Sequence, residues 1–336
     1  MPLARSDVVV DRARRIADEV LFPSAQDVDR ATTIPPVNLA ALAGAGLFDI
    51  ASSAARGGLE DDRETAWRIF STLGGGCGAT FFVWAQHHTV VKVLRASENH
   101  ELADRLLGPL RSGESIAGVA FAHLRRSGPP AIRATRVDGG WMLDGFSPWT
   151  TSWGIADWFA VAGASDDGQV VWAVLPRGPV DGLLATPLQL PVLMATGTVT
   201  LRFDRCFVPD ERIASTEPLA AWRAHDRKNA AAGNPATHGL AVRAAGLVRE
   251  LGDGDPRATG AADRLDEACI EREHDFDEIL LAADLDDEDD FVEHASRHRA
   301  ACLHLAQRAA TALLTTVGGR GMELSHPAQR LAREAA

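Results

Sequence analysis

Cysteine is scarce in this chain: four in 336 residues, at Cys77, Cys206, Cys269 and Cys302, with no CxxC pair. That spacing excludes a zinc-ribbon pattern and a dense disulfide framework, and it points to a reducing, cytoplasmic setting. Long apolar runs are missing as well. The longest, at residues 79–85 and 170–175, fall far short of the roughly 20 residues that a membrane span requires. The N-terminal stretch is amphipathic and charged, without the continuous apolar segment of a targeting signal. Positive charge is in deficit, with 34 Lys and Arg against 46 Asp and Glu, a net charge of −12 and an isoelectric point near 5.4. An acidic chain repels phosphate backbones, so nucleic acid is not an expected partner. No GxSxG elbow, no P-loop and no repeat at solenoid spacing is found.

What is present is the material of a folded core. Hydrophobic residues make up 46% and charged residues 24%, which excludes disorder across the whole chain. The periodicity changes twice. Up to about residue 115 it is helical: Val10, Ala13, Ile16, Ala17, Val20 and Leu21 form one stripe, with Pro23 placed to stop or bend that helix. Pro35-Pro36 opens a second helix. A third runs from about residue 62 until Gly74-Gly75-Gly76 breaks it, and two more cover about 79–95 and 101–110. From 116 to 209 short β-rich runs replace the helices, at 116–121, 131–137, 141–143, 158–164, 170–175 and 198–203, divided by turns such as Asp138-Gly139-Gly140. Helical pattern then returns at 236–251, 259–284, 291–317 and 327–334, and the acidic run from Asp284 to Asp290 reads as a loop. The expected domains are an α-helical one over 1–115, a small β-barrel over 116–212 and a shortened helical bundle over 213–336.

Two motifs carry a resemblance. The first is Leu143-Asp144-Gly145-Phe146-Ser147-Pro148-Trp149-Thr150-Thr151-Ser152-Trp153-Gly154-Ile155-Ala156-Asp157. The second is Val317-Gly318-Gly319-Arg320-Gly321-Met322, followed by Pro327-Ala328-Gln329-Arg330-Leu331-Ala332-Arg333-Glu334-Ala335. In this order, at the ends of a helix–sheet–helix chain, they resemble the acyl-CoA dehydrogenase family. The first is similar to its Trp-Ile-Thr-Asn segment and the second to its Gly-Gly-x-Gly turn and Arg-Asp-Ala helix, with Glu334 where aspartate is usual. The resemblance implies an α+β fold of three domains: N-terminal helices, a central β-barrel and a C-terminal helical bundle. It also implies FAD. Trp149 would cover the flavin ring and Thr151 would hydrogen-bond it, while Gly318, Gly319 and Gly321 would approach the cofactor of a neighbouring subunit. Phe121, His123 and Ser127, in the loop after the first strand, would add contacts, and Arg125 and Arg126 are suited to a phosphate. Ser152 and Arg227 are candidates for substrate binding.

By the same resemblance the reaction would be α,β-dehydrogenation of an acyl thioester of CoA or a carrier protein. Electrons would leave to an electron-transfer flavoprotein, from a homo- or hetero-oligomer. Two features depart from the family. Its usual glutamate base falls after the Arg-Asp-Ala helix, and this sequence ends at Ala336 before that position. Its Arg-x-x-Phe-Gly segment is not recognisable between Arg249 and Asp277. Asp226 is therefore the first candidate base, with Glu217 as another. A two-component flavin monooxygenase on the same fold and a non-catalytic subunit of a hetero-oligomeric dehydrogenase stand as alternatives. His294 and His298, four apart on a helix, lack a third ligand, so no metal is expected. His87 and His88 read as core or helix-surface histidines.

Overall fold

Pro23 does not end the first helix. In the computed structural model, which describes residues 5–52, 59, 62–232, 235–282 and 288–336, α1 (Arg5–Ile16) passes through a π-helical turn (Ala17–Leu21) directly into α2 (Phe22–Arg30). A proline has no N–H and its ring collides with the carbonyl four residues back. The wider π turn places Pro23 in the opening turn of α2, where no donor is required.

The remaining N-terminal helices are α3 (Pro36–Gly44), α4 (Arg63–Gly76), α5 (Gly78–Arg95) and α6 (His100–Ser112). Side chains cap two of them. Asp62 accepts from the Thr65 N–H at 2.9 Å and Asn99 from that of Leu102 at 3.1 Å, each worth ~1 kcal/mol. Gly74, Gly75 and Gly76 correct the reading of a helix breaker, because all three are helical and α4 ends only at Cys77. They permit contact instead. A Cβ on Gly75 would stand 2.5 Å from the carbonyl oxygen of Gly239, and one on Gly239 would stand 1.7 Å from that of Ser71. Helix α4 thus crosses α8 (Ala236–Leu251) backbone against backbone.

Eight strands form the central sheet: β1 (Ala117–Ala120), β2 (Ile132–Val137), β3 (Gly140–Thr150), β4 (Trp158–Ala164), β5 (Gln169–Pro176), β6 (Leu183–Pro187), β7 (Val199–Pro209) and β8 (Ile213–Pro218). Their order is β6-β7-β3-β2-β4-β5-β8, with β1 paired in parallel to β4. The two halves meet at one register pair, Arg133 opposite Ala164. Strands β4 and β5 are buried on both faces. Phe159, Val161, Val171 and Ala173 join the core shared with the N-terminal helices, while Ala160, Ala162, Val170 and Trp172 join the core under α5 and α6. Their continuous apolar sequence follows from this double burial. Strands β6 and β8, at the two ends of the order, escaped the sequence reading because edge strands need little apolar pattern. Strand β8 continues the sheet past residue 212, the boundary expected for the β domain.

The C-terminal helices are α7 (Leu219–Ala232), α8, α9 (Pro256–Ala282), α10 (Glu288–Val317) and α11 (Pro327–Glu334). Asp284, Asp286 and Asp287 of the acidic run lie outside the described residues. Glu288, Asp289 and Asp290 form the first turn of α10 rather than a loop, where their charge complements the helix dipole. No helix among the described residues is long and apolar enough to cross a membrane. All four cysteines are unpaired and buried.

Two buried histidines act as structural links. His87 accepts the Ala117 N–H on Nδ1 at 3.1 Å, so its Nε2–H donates to the Leu110 carbonyl at 3.0 Å. His238 packs against Trp67 with ring centroids 4.6 Å apart and planes tilted by 40°, contacts the Ser71 hydroxyl at 2.9 Å and lies 3.1 Å from the Cys269 carbonyl. Burial is the main cause that lowers both from 6.5 to about 4. The unfolded chain therefore holds more protons between those values. Stability should fall as pH drops from 6.5 toward 4 and then level off, by about 3 kcal/mol for each histidine. Urea unfolding across this window will check it: His238→Gln should show a shallower pH slope than the parent, and an identical slope would contradict the assignment. Gly239→Ala tests the helix crossing. The added methyl should cost more than about 3 kcal/mol, and a midpoint unchanged in urea would refute backbone contact.

Candidate flavin site between the sheet and helix α7

Strand β1 is four residues long, roughly 10–13 Å, and a loop stands at each of its ends. At its start lies the Thr151–Trp153 loop that follows β3; a Cβ on Gly118 would stand 2.9 Å from the Thr151 carbonyl oxygen. At its end is the 3-10 turn Ala122–Arg125. The two loops that the sequence singled out therefore flank one short strand.

The loop after β3 is fastened to the segment before β7. Ser152 N–H donates to Thr196 C=O at 2.8 Å, and Trp153 N–H donates to Gly197 C=O at 3.0 Å. Thr151 is buried, with its hydroxyl 3.3 Å from that of Thr198, which lies 2.8 Å from that of Thr196. Ser152 is fully buried with φ +73°, and its hydroxyl has no hydrogen-bond partner. A serine in the left-handed region is strained by about 1 kcal/mol, and a buried unpaired hydroxyl adds to that cost. Trp149, two residues before Thr151, is 56% exposed.

The turn after β1 holds a second unpaired atom. His123 is buried, and its Nε2 meets the Ala162 carbonyl at 2.8 Å. Its Nδ1 has no partner. Burial, the largest influence, pushes this imidazole below its ordinary pKa, so the neutral ring donates through Nε2–H and leaves Nδ1 as an acceptor. Phe121, half-buried, packs 5.8 Å from Trp172 and 6.0 Å from Trp222. Ser127 is exposed just beyond the turn.

Asp226 and Arg227 are adjacent on α7 but face different partners. Both oxygens of Asp226 are taken by Arg125, whose Nε and Nη2 donate at 2.7 and 2.8 Å. Arg227 pairs with Asp289 of α10 at 2.6 Å. Glu217 lies on β8 opposite Val170. Gly318, Gly319 and Gly321 form a 3-10 turn after α10; Gly318 has φ +62°, Gly319 is open to solvent, and Gly321 is buried where a Cβ would stand 2.6 Å from Val317. His87 and His88 are both core residues; His88 is ringed by Trp84, Phe70 and Phe48, with neither nitrogen paired. His294 turns to the Asp290 carbonyl and His298 to that of Arg272, and no group among the described residues is arranged to hold a metal.

The residues flanking β1 fit a flat, polar-edged ring. An outward indole offers a stacking face. The Ser152 hydroxyl and His123 Nδ1 offer hydrogen-bonding capacity that the protein itself leaves unused. The sequence motif pointed to Trp149 and Thr151. Ser152 was expected to touch substrate, and neither its strain and unpaired hydroxyl nor the pairing of Arg125 with Asp226 carried a signal in the sequence.

Comparison with solved structures places the fold. Over 100% of this chain and 94% of the other, it superposes on butyryl-CoA dehydrogenase from Megasphaera elsdenii with a TM-score of 0.81 at 16% identity. A nitrososynthase from Micromonospora carbonacea var. africana shares the fold at a TM-score of 0.79 and 22% identity, over 99% of this chain and 92% of that one. Residues 5–114 match the family described as acyl-CoA dehydrogenase, N-terminal domain. Among curated relatives, benzylmalonyl-CoA dehydrogenase of Aromatoleum aromaticum is 27% identical over 62% of this chain and 57% of its own length. The mitochondrial isovaleryl-CoA dehydrogenase of Solanum tuberosum is 26% identical over 59% and 51%. The chain spans little more than half the length of these relatives. The fold is that of the acyl-CoA dehydrogenases, and the sequence likenesses support a place in that family.

Ser152 yields a direct test. Ser152→Gly removes both the left-handed strain and the unpaired hydroxyl, so the flavin-free protein should gain about 1 kcal/mol. Thermal unfolding reads this, and a lower Tm would show that the hydroxyl is structural.

Proposed function

We propose that this chain is an FAD-dependent oxidoreductase acting on an acyl thioester, carried by CoA or a carrier protein, with α,β-dehydrogenation as its reaction. The observation that supports it is the pair of unused buried groups, Ser152 Oγ and His123 Nδ1, in the loops at the two ends of β1. Bound FAD supplies a two-electron acceptor. The protein's own part is to hold the ring: Trp149 stacks on it, and Thr151 and Ser152 hydrogen-bond its polar edge. In this reading the Gly318–Gly321 turn serves a neighbouring subunit's cofactor. The protein then works as a cytoplasmic oligomer and passes electrons to an electron-transfer flavoprotein.

The occupied Asp226 favours a second reading. Removal of an α-proton requires a carboxylate within hydrogen-bond reach, and the carboxylate that the sequence nominated has both oxygens on Arg125. A two-component flavin monooxygenase requires no such base, and a solved dibenzothiophene monooxygenase from Paenibacillus sp. shares this fold.

Titration with FAD should give saturable binding, and Trp149→Ala should weaken it roughly tenfold, the loss of one good stacking contact. Anaerobic addition of acyl-CoAs should then bleach the flavin bands. Absence of bleaching together with oxygen uptake by reduced flavin would select the monooxygenase. A protein that binds neither FAD nor FMN would overturn the proposal.

A further inference from the structure

Helix α7 meets the turn after β1 through matched contacts. Phe121 and Arg125 are four residues apart on the turn; Trp222 and Asp226 are four apart on the helix, hence on one face. Phe121 packs edge-on to Trp222 at 6.0 Å, and Arg125 grips Asp226 with two hydrogen bonds of 2.7 and 2.8 Å. The Arg125 guanidinium also lies 5.1 Å over the Phe121 ring, joining the two contacts. A third contact runs from Arg223 to the carbonyl of Arg126 at 3.4 Å. The Asp226 side chain is only 11% exposed. On its other side α7 is fixed to α10, by Arg227 with Asp289 at 2.6 Å and by Arg299 with the Ala230 carbonyl at 2.9 Å.

We propose that Arg125 and Asp226 are a positioning pair: they clamp the turn bearing His123 onto helix α7, so that the turn is held ready for flavin. This rests on the flavin reading above and gives Asp226 a role other than proton acceptor. The planar, two-pronged guanidinium–carboxylate geometry suits it, because such a pair fixes orientation as well as distance. The turn is otherwise secured by the Phe121 ring, by Arg223 and by His123 on Ala162. Loss of the pair therefore leaves the end of the turn that carries Arg125 and Arg126 held to α7 by the 3.4 Å bond from Arg223, a weaker tether.

The test compares Asp226→Asn, Arg125→Gln, the double variant and the exchange Arg125→Asp with Asp226→Arg. FAD affinity should fall roughly tenfold in each single variant. The double variant should be no weaker than the worse single one, and the exchange should recover most of the loss. A second readout uses flavin-free protein: trypsin should cut after Arg126 faster in Asp226→Asn than in the parent. Additive single effects, or unchanged cleavage, would overturn the proposal. So would an Asp226→Asn protein that binds FAD normally yet is no longer bleached by acyl-CoA, since that is the behaviour of a base. If the parent binds no flavin, the flavin reading fails, and the trypsin comparison still decides whether the pair positions the turn.

Discussion

A buried ion pair near the end of the chain holds α2 and α11 together. Arg330 on α11 has no solvent exposure and donates to both carboxylate oxygens of Glu334 at 3.0 Å. Its Nε bonds Gln26 at 2.6 Å, 304 residues away, and its guanidinium stands 5.7 Å from the Phe22 ring. Burial raises the Glu334 carboxyl, and Arg330 opposes that shift. Such a pair is costly to assemble but far costlier to break, because a single partner left behind is an uncompensated buried charge worth about 3–5 kcal/mol. Arg333 extends the junction with Asp29, at 3.0 Å through Nη1, and with the Pro191 carbonyl. Helix α2, the loop between β6 and β7, and the C-terminal helices α8 and α10 all meet α11.

The same closeness recurs where α4 crosses α8. Glycines remove the side chains that would hold the two helices apart, and Ser71 then bonds His238 across the crossing. His238 lies tilted against Trp67, Trp67 stacks on Phe276 of α9, and Phe276 reaches His298 of α10. Four helices are thus connected by rings and neutral imidazoles. The strain at Ser152 is held locally instead, by its N–H on the Thr196 carbonyl and that of Trp153 on the Gly197 carbonyl.

The three-part architecture was legible because its pieces differ in period. Strands β4 and β5 gave continuous apolar runs, and the helices gave three- and four-residue stripes. Trp149 and Thr151 were legible only through a family resemblance; their chemistry alone is that of a strand running into a turn. What escaped has physical reasons. The glycines of α4 read as a breaker because their partner, Gly239, is distant in sequence. Strands β6 and β8 are edges with little apolar alternation. The pairing of Arg125 with Asp226 spans 101 residues, and no local pattern announces an ion pair across that distance.

The π-helical turn between α1 and α2 has a consequence for how this sequence can vary. A π turn holds one residue more than the α-helix it interrupts, and one residue amounts to about 100° of helical rotation. Gln26 and Asp29 lie beyond that turn and are the groups that meet Arg330 and Arg333. Deleting a single residue from Ala17–Leu21 would leave a more regular helix, yet swing both side chains away from the arginines. That segment is therefore constrained in length as well as by its buried Ala17 and Leu21.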